Sequence, residues 1–267
     1  MIERNSYCLH DFIKMIITPT FVFIHVPKTG GTFVQKSLNQ IYGSKFYQPI
    51  REDPLQEALK RLKFWETPIA HQLIKHAPCN QIPAEYSALP IAGCVRNPFE
   101  WYVSNYKYGW WLSHPEDYPG LKDDPEWPEV SFKHYLELSG TVWLKAIFPN
   151  CQLEIGRLSA LFILYYCKNP SQVVEAKTYS ELVEKVQEDM YPVTFLKTKS
   201  LNQDLHHFLL THGFSENTLS FIKNAKPISP RGNRTQEDSA QSYFDTDLSA
   251  SIQAKDQLLF DLFPSIS

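Results

Sequence analysis

Basic charge, paired cysteines, repeats and long apolar runs are all scarce in this chain of 267 residues. Its five cysteines, Cys8, Cys79, Cys94, Cys151 and Cys167, are an odd set without C-x-x-C spacing, which argues against a disulfide framework and against a zinc site. Several of them sit among apolar neighbours, where a free thiol packs as a small hydrophobe. Lysine and arginine number 26 against 29 acidic residues, a net charge of −3, so no overall basic field draws a nucleic acid or a long polyanionic glycan. A local basic cleft is compatible with that total. The most apolar run, Leu158 to Cys167, is far short of the roughly 20 residues that span a bilayer. Met1 to Thr20 carry Glu3, Arg4, Asp11 and Lys14 and lack the continuous apolar core of a secretory signal. The expectation is a cytoplasmic protein without a membrane span. The Walker A pattern G-x-x-x-x-G-K-[ST] is missing too.

What is present fits one globular core, with 43% apolar and 14% aromatic residues and nothing that forces a second domain, so 1–267 is read as a single α/β unit. The stretch that organises it is His25-Val26-Pro27-Lys28-Thr29-Gly30-Gly31-Thr32, between the β-forming run Phe21 to Ile24 and an amphipathic segment, Thr32 to Tyr42. Val34, Leu38, Ile41 and Tyr42 fall at helical spacing and Gly43 stops the helix. A strand, a glycine turn and a helix leave the first helical amides unpaired at a spot where the helix dipole favours negative charge. Gly30 and Gly31 remove the Cβ atoms that block close approach, and Lys28 adds a full positive charge. The product is an anion cradle suited to phosphate or sulfate.

A second junction follows Leu89 to Val95, an apolar run that suits a parallel strand buried on both faces. Asn97 is read as an N-cap, with Pro98 at the first helical position and Glu100 at the third. Phe99, Tyr102, Val103, Tyr106 and Trp110 are the expected buried stripe. Arg96 then lies at the strand's carboxyl edge, where open α/β sheets bind ligands. Ser104 stands two turns beyond Asn97, about 10 Å along the axis and on the same side, so that it and the guanidinium are placed to hold one phosphate.

Together, P-K-T-G-G-T and R-N-P-x5-S resemble the 5′-phosphosulfate loop and the 3′-phosphate element of sulfotransferases that use 3′-phosphoadenosine 5′-phosphosulfate (PAPS). The resemblance implies a P-loop-like three-layer sandwich with a central, mainly parallel sheet. It also implies transfer of a sulfuryl group to a hydroxyl of a carbohydrate or other alcohol, with 3′-phosphoadenosine 5′-phosphate (PAP) as product. Lys28, Thr29, Gly30, Gly31 and Thr32 would hold the 5′-phosphate, Lys28 would steady the leaving oxygen, and Arg96 with Ser104 would hold the 3′-phosphate. A histidine or glutamate takes the acceptor's proton in this family, and His71, after the short strand end Ile69-Ala70, stands in a comparable place with His76 as its competitor. A basic loop also contacts the cofactor there. Here 223–238 carries Lys226, Arg231 and Arg234, and the two arginines are not separable. Tyr243-Phe244-Asp245 is similar to a run in carbohydrate-type members, and Thr194 to Leu201 to a later strand–helix junction, with Lys199 where an acid is expected. No metal is required if lysine and amides stabilise the charge.

The rest reads as scaffold. Asp53 to Trp65, Ser131 to Leu138, Gly156 to Cys167 and Ser200 to Leu210 are expected helices, Tyr191 to Leu196 a strand, and Asp247 to Phe263 one closing amphipathic helix. The aromatic and acidic insertion at about 110–130 offers Trp110, Trp111, Tyr118 and Trp127 either to an acceptor or to the protein body. The competing functions are a catalytically inactive nucleotide-binding or interaction protein on the same fold, and a nucleotide-dependent kinase, which would need the missing Walker lysine.

Overall fold

Alternation of side chains along short apolar strands divides the interior into two cores. In the computed structural model, which describes residues 15–43, 76–115, 121, 124–226 and 240–266, β2 (Val22–Ile24) and β3 (Ile91–Val95) are buried at every position. Val22, Ile24, Ile91 and Val95 face one cluster, whereas Phe23, Ala92 and Cys94 face the other. β1 (Met15–Ile17) pairs antiparallel with β2, setting Met15 opposite Ile24. β2 and β3 are parallel, as are β3 and β4 (Val193–Lys197), giving the order β1-β2-β3-β4. This is an α/β fold with an open, mostly parallel sheet.

Helices cover both faces. α1 (Gly31–Tyr42) follows β2, and α2 (Pro98–Tyr108) and the short α3 (Trp110–Ser113) follow β3. Next come α4 (Phe132–Ile147), α5 (Arg157–Tyr166), α6 (Pro170–Val173) and α7 (Tyr179–Asp189). After β4 the chain forms α8 (Leu201–Thr211), α9 (Glu216–Lys223), α10 (Thr246–Lys255) and α11 (Gln257–Leu262). Apolar residues of α1, α8 and α9 fill one core, and those of α2, α4, α5, α7, α10 and α11 fill the other. That layering is compatible with a three-layer sandwich. No helix among the described residues is long and apolar enough to cross a membrane.

Both expected strand–helix junctions form. Asn97 Oδ1 accepts the Glu100 amide at 3.3 Å and Pro98 opens α2. The buried stripe of α2 is nonetheless shifted: Trp101, Tyr102 and Val103 are buried, while Phe99, Tyr106 and Trp110 are half-buried. Trp101 turns inward because its indole N–H donates to the Pro27 carbonyl at 2.9 Å, so the loop after β2 claims a second face of the helix.

The closing helix is two helices, not one. Asp256, fully buried, interrupts it by turning its carboxylate inward, where it accepts the Tyr102 hydroxyl and the Ser159 amide, each at 2.8 Å. The Tyr102 oxygen in turn accepts the Arg157 amide at 2.9 Å, so one acid ties together the starts of α5 and α11 and the middle of α2. Burial raises the Asp256 pKa above the ordinary carboxylate value, because the charged form loses its water. The expected helix Asp53 to Trp65 and the strand end at His71 lie outside the described residues.

Candidate functional site

Five successive carbonyls of the turn after β2 are pinned by side chains. His76 Nδ1 bonds the His25 carbonyl at 2.7 Å, Thr29 Oγ1 the Val26 carbonyl at 2.9 Å and Trp101 Nε1 the Pro27 carbonyl at 2.9 Å. Arg96 Nη1 donates to the Lys28 carbonyl at 3.0 Å, and Thr198 Oγ1 to the Thr29 carbonyl at 2.7 Å. Among the described residues none of the amides from Thr29 to Thr32 meets a carbonyl in hydrogen-bonding geometry. Carbonyl oxygens held on one side and free donors at a helix start are what an anion requires.

The backbone stores strain at this place. Lys28 has φ 65°, uncommon for a residue with a side chain, and Gly30 has φ 102°. A Cβ on Gly31 would lie 1.9 Å from the His25 ring, so that glycine is the only residue that fits beneath the imidazole. Glycine adopts such a positive φ freely, whereas for lysine it costs about 1–3 kcal/mol and persists where surrounding contacts over-determine it. Here the pinned carbonyls supply those contacts.

The parallel strands carry three cationic tips to the same edge. Lys28 places its ammonium 4.2 Å from the Tyr108 ring centroid at the end of α2. Arg96, with a side chain 20% exposed, lies 3.4 Å from Glu100 as well as bonding the loop. Beyond it opens a cleft lined by Arg96, Asn97, Glu100, Lys197, Thr198 and Lys199. Thr198 Oγ1 also lies 2.9 Å from the Val95 carbonyl, so this one hydroxyl spans the tips of β2 and β3. The edge is basic although the chain as a whole is acidic.

Sequence reasoning therefore placed Lys28, Thr29, Gly30, Gly31, Thr32 and Arg96 in one neighbourhood, and the structure brings them together. Ser104 lies half-buried on α2, as expected, but the cleft that Arg96 lines is formed with Lys197 and Lys199 rather than with Ser104. His71, Arg231 and Arg234 lie outside the described residues. His76 is buried beside the loop, its ring edge-to-face with that of His25 at 4.8 Å. A carbonyl only accepts, so the bond to His25 assigns the proton to Nδ1 and, in the neutral ring, the lone pair to Nε2. Of the aromatic insertion, Trp111 is buried and packs against Trp127 and Tyr106, whereas Trp110 stacks on His114 at 3.5 Å.

Set against protein-family models, curated proteins and solved structures, the chain matches none. Its chemistry is thus read from its own residues. Trp101 and Thr198 were missed as loop supports because a buried tryptophan and a strand-end threonine carry no periodic signal. For Lys197 and Lys199 a signal existed: two lysines flank the threonine at the end of a predicted strand.

Proposed function

We propose that this chain is a sulfotransferase that moves a sulfuryl group from PAPS to a hydroxyl of a carbohydrate or other alcohol, on a P-loop-like sheet. The observation that carries the reading is the pinned turn: five fixed carbonyls, amides from Thr29 to Thr32 that meet no carbonyl among the described residues, and a lysine at the same turn. Preorganised donors of this kind stabilise developing negative charge without reorganising at the moment of reaction.

The residues fit the cofactor. The amides and the Thr32 hydroxyl suit a 5′-phosphate, and the Arg96 cleft suits a second phosphate next door, linked to the loop by Arg96 and Thr198. Bound PAPS supplies the sulfuryl group. With PAPS bound, Lys28 would be the residue that steadies charge on the leaving oxygen, since a lysine ammonium is a mobile point charge. His76 Nε2, or His71, accepts the proton of the acceptor hydroxyl, and neutral imidazole titrates in the right range for that task.

Transfer of labelled sulfate from PAPS to a panel of sugars, phenols and aliphatic alcohols tests the activity. Transfer that is lost in Lys28→Ala supports it. Tight PAP binding with no transfer to any acceptor would make the protein a nucleotide-binding relative of such enzymes, and tight ATP binding without PAP binding would make it a kinase-like protein.

A further inference from the structure

Two lysines to which the sulfotransferase resemblance gives no role line the cleft beside Arg96. Lys197 ends β4 and Lys199 follows Thr198, whose hydroxyl holds the Thr29 carbonyl of the anion loop. Neither ammonium takes part in an ion pair or side-chain hydrogen bond among the described residues, whereas other lysines, such as Lys185, Lys223 and Lys255, lie near carboxylates. Asp204, the nearest acid on α8, spends its carboxylate on the Lys197 amide and the Ser200 hydroxyl at 2.8 and 2.9 Å. The wall opposite is Arg96, Asn97 and Glu100 at the start of α2. Among the described residues that line the cleft, three cations face one carboxylate, a surplus of two positive charges. A phosphate monoester carries about −1.5 to −2 at neutral pH, whereas a diester carries one charge and a hydroxyl none.

We propose that Lys197 and Lys199 are specificity residues that, with Arg96, admit a phosphate monoester dianion into this cleft. They make the site select a nucleotide with two separate phosphate ends over one with a single end. The inference rests on the sulfotransferase reading and deepens it, because it moves recognition of the second phosphate from the Arg96–Ser104 side of α2 to the β4 side. Lys199 in place of an acid is then a gain of anion affinity rather than a loss of the junction's role.

The test is calorimetric titration of wild type, Lys197→Gln, Lys199→Gln and Ser104→Ala with adenosine 3′,5′-bisphosphate and with adenosine 5′-monophosphate. Loss of one charge-assisted contact corresponds to about tenfold in affinity. Each lysine variant is expected to bind the bisphosphate about tenfold more weakly and the monophosphate within about twofold of wild type, and each should lose more bisphosphate affinity than Ser104→Ala does. The bisphosphate deficit should shrink as salt is raised, because about 1 M salt cuts the screening length to about 3 Å; a packing defect would not respond this way. If both nucleotides weaken equally in the lysine variants, if the bisphosphate is unaffected, or if wild type does not prefer it, the assignment of Lys197 and Lys199 is wrong while the loop reading stands. Wild type that binds neither nucleotide overturns the sulfotransferase reading and this assignment together.

Discussion

Replacing Thr198 by valine keeps the shape of the side chain and deletes the hydroxyl that lies 2.7 Å from the Thr29 carbonyl and 2.9 Å from the Val95 carbonyl. One hydroxyl carries one proton, so the two carbonyls share it and the variant removes that donor from both. A net hydrogen bond contributes about 0.5–1.5 kcal/mol, and a carbonyl left unsatisfied in a half-buried place adds to the cost, so a loss of about 1–2 kcal/mol is expected. With an unfolding entropy near 2.1 cal/mol/K per residue, a chain of 267 residues has about 0.6 kcal/mol/K, and the midpoint should fall by about 2–3 °C. The more telling change is at the loop. Thr29 and Gly30 lose their tie to the sheet, so PAP affinity should fall by about tenfold while the far-ultraviolet dichroism stays that of wild type. Thermal scanning and calorimetry on one preparation read both quantities. A Thr198→Val protein with an unchanged midpoint and unchanged PAP affinity would show that the loop carbonyls do not hold the cradle in place.

The other perturbations sort the roles. Gly31→Ala forces a Cβ into the His25 ring and should abolish PAP binding, read by calorimetry, with a lowered unfolding midpoint. Lys28→Ala should lower kcat by about 100-fold or more with PAP affinity little changed, whereas Arg96→Ala, which also removes a donor to the Lys28 carbonyl, should weaken PAP about tenfold or more. His76→Gln should lower kcat and remove the acid limb of the pH–rate profile if His76 Nε2 is the base, and leave that limb intact if His71 is. Asp256 has a raised pKa in the fold, so the native state binds its proton more tightly than the unfolded chain. Between that raised value and the ordinary carboxylate value near 3.9, its contribution to stability grows as pH falls. The stability difference between wild type and Asp256→Asn, followed by urea unfolding, should therefore shift in favour of wild type on acidification through that window, and a difference independent of pH would contradict the assignment.

Sequence was most informative where the local rule and the tertiary demand coincide. Asn97-Pro98 capped α2 as expected, since its cap oxygen has the local amide of Glu100 to accept. β3 read as a doubly buried parallel strand and is one. α7 went unassigned although Thr178 accepts the Glu181 amide at 3.2 Å, a capping pattern visible as T-x-x-E. β1 is only three residues long and borrows its order from β2, so no periodicity marked it. The break at Asp256 was illegible for a different reason: the apolar spacing of the two closing helices is continuous, and only the distant Tyr102 and Ser159 explain why an acid turns inward there. For the site, glycines and a lysine raised the expectation of an anion, but which carbonyls are pinned depends on Trp101, Thr198 and His76, residues that pattern alone cannot pair.

The most direct test of the cradle is a nitrogen–proton correlation spectrum of the labelled wild-type protein during titration with PAP. The amide resonances of Thr29, Gly30, Gly31 and Thr32 should move first and furthest, together with the side-chain signal of Arg96. Amides that stay in place at that turn while PAP saturates the protein elsewhere, or a spectrum that PAP leaves unchanged, would contradict the claim that this turn binds the nucleotide.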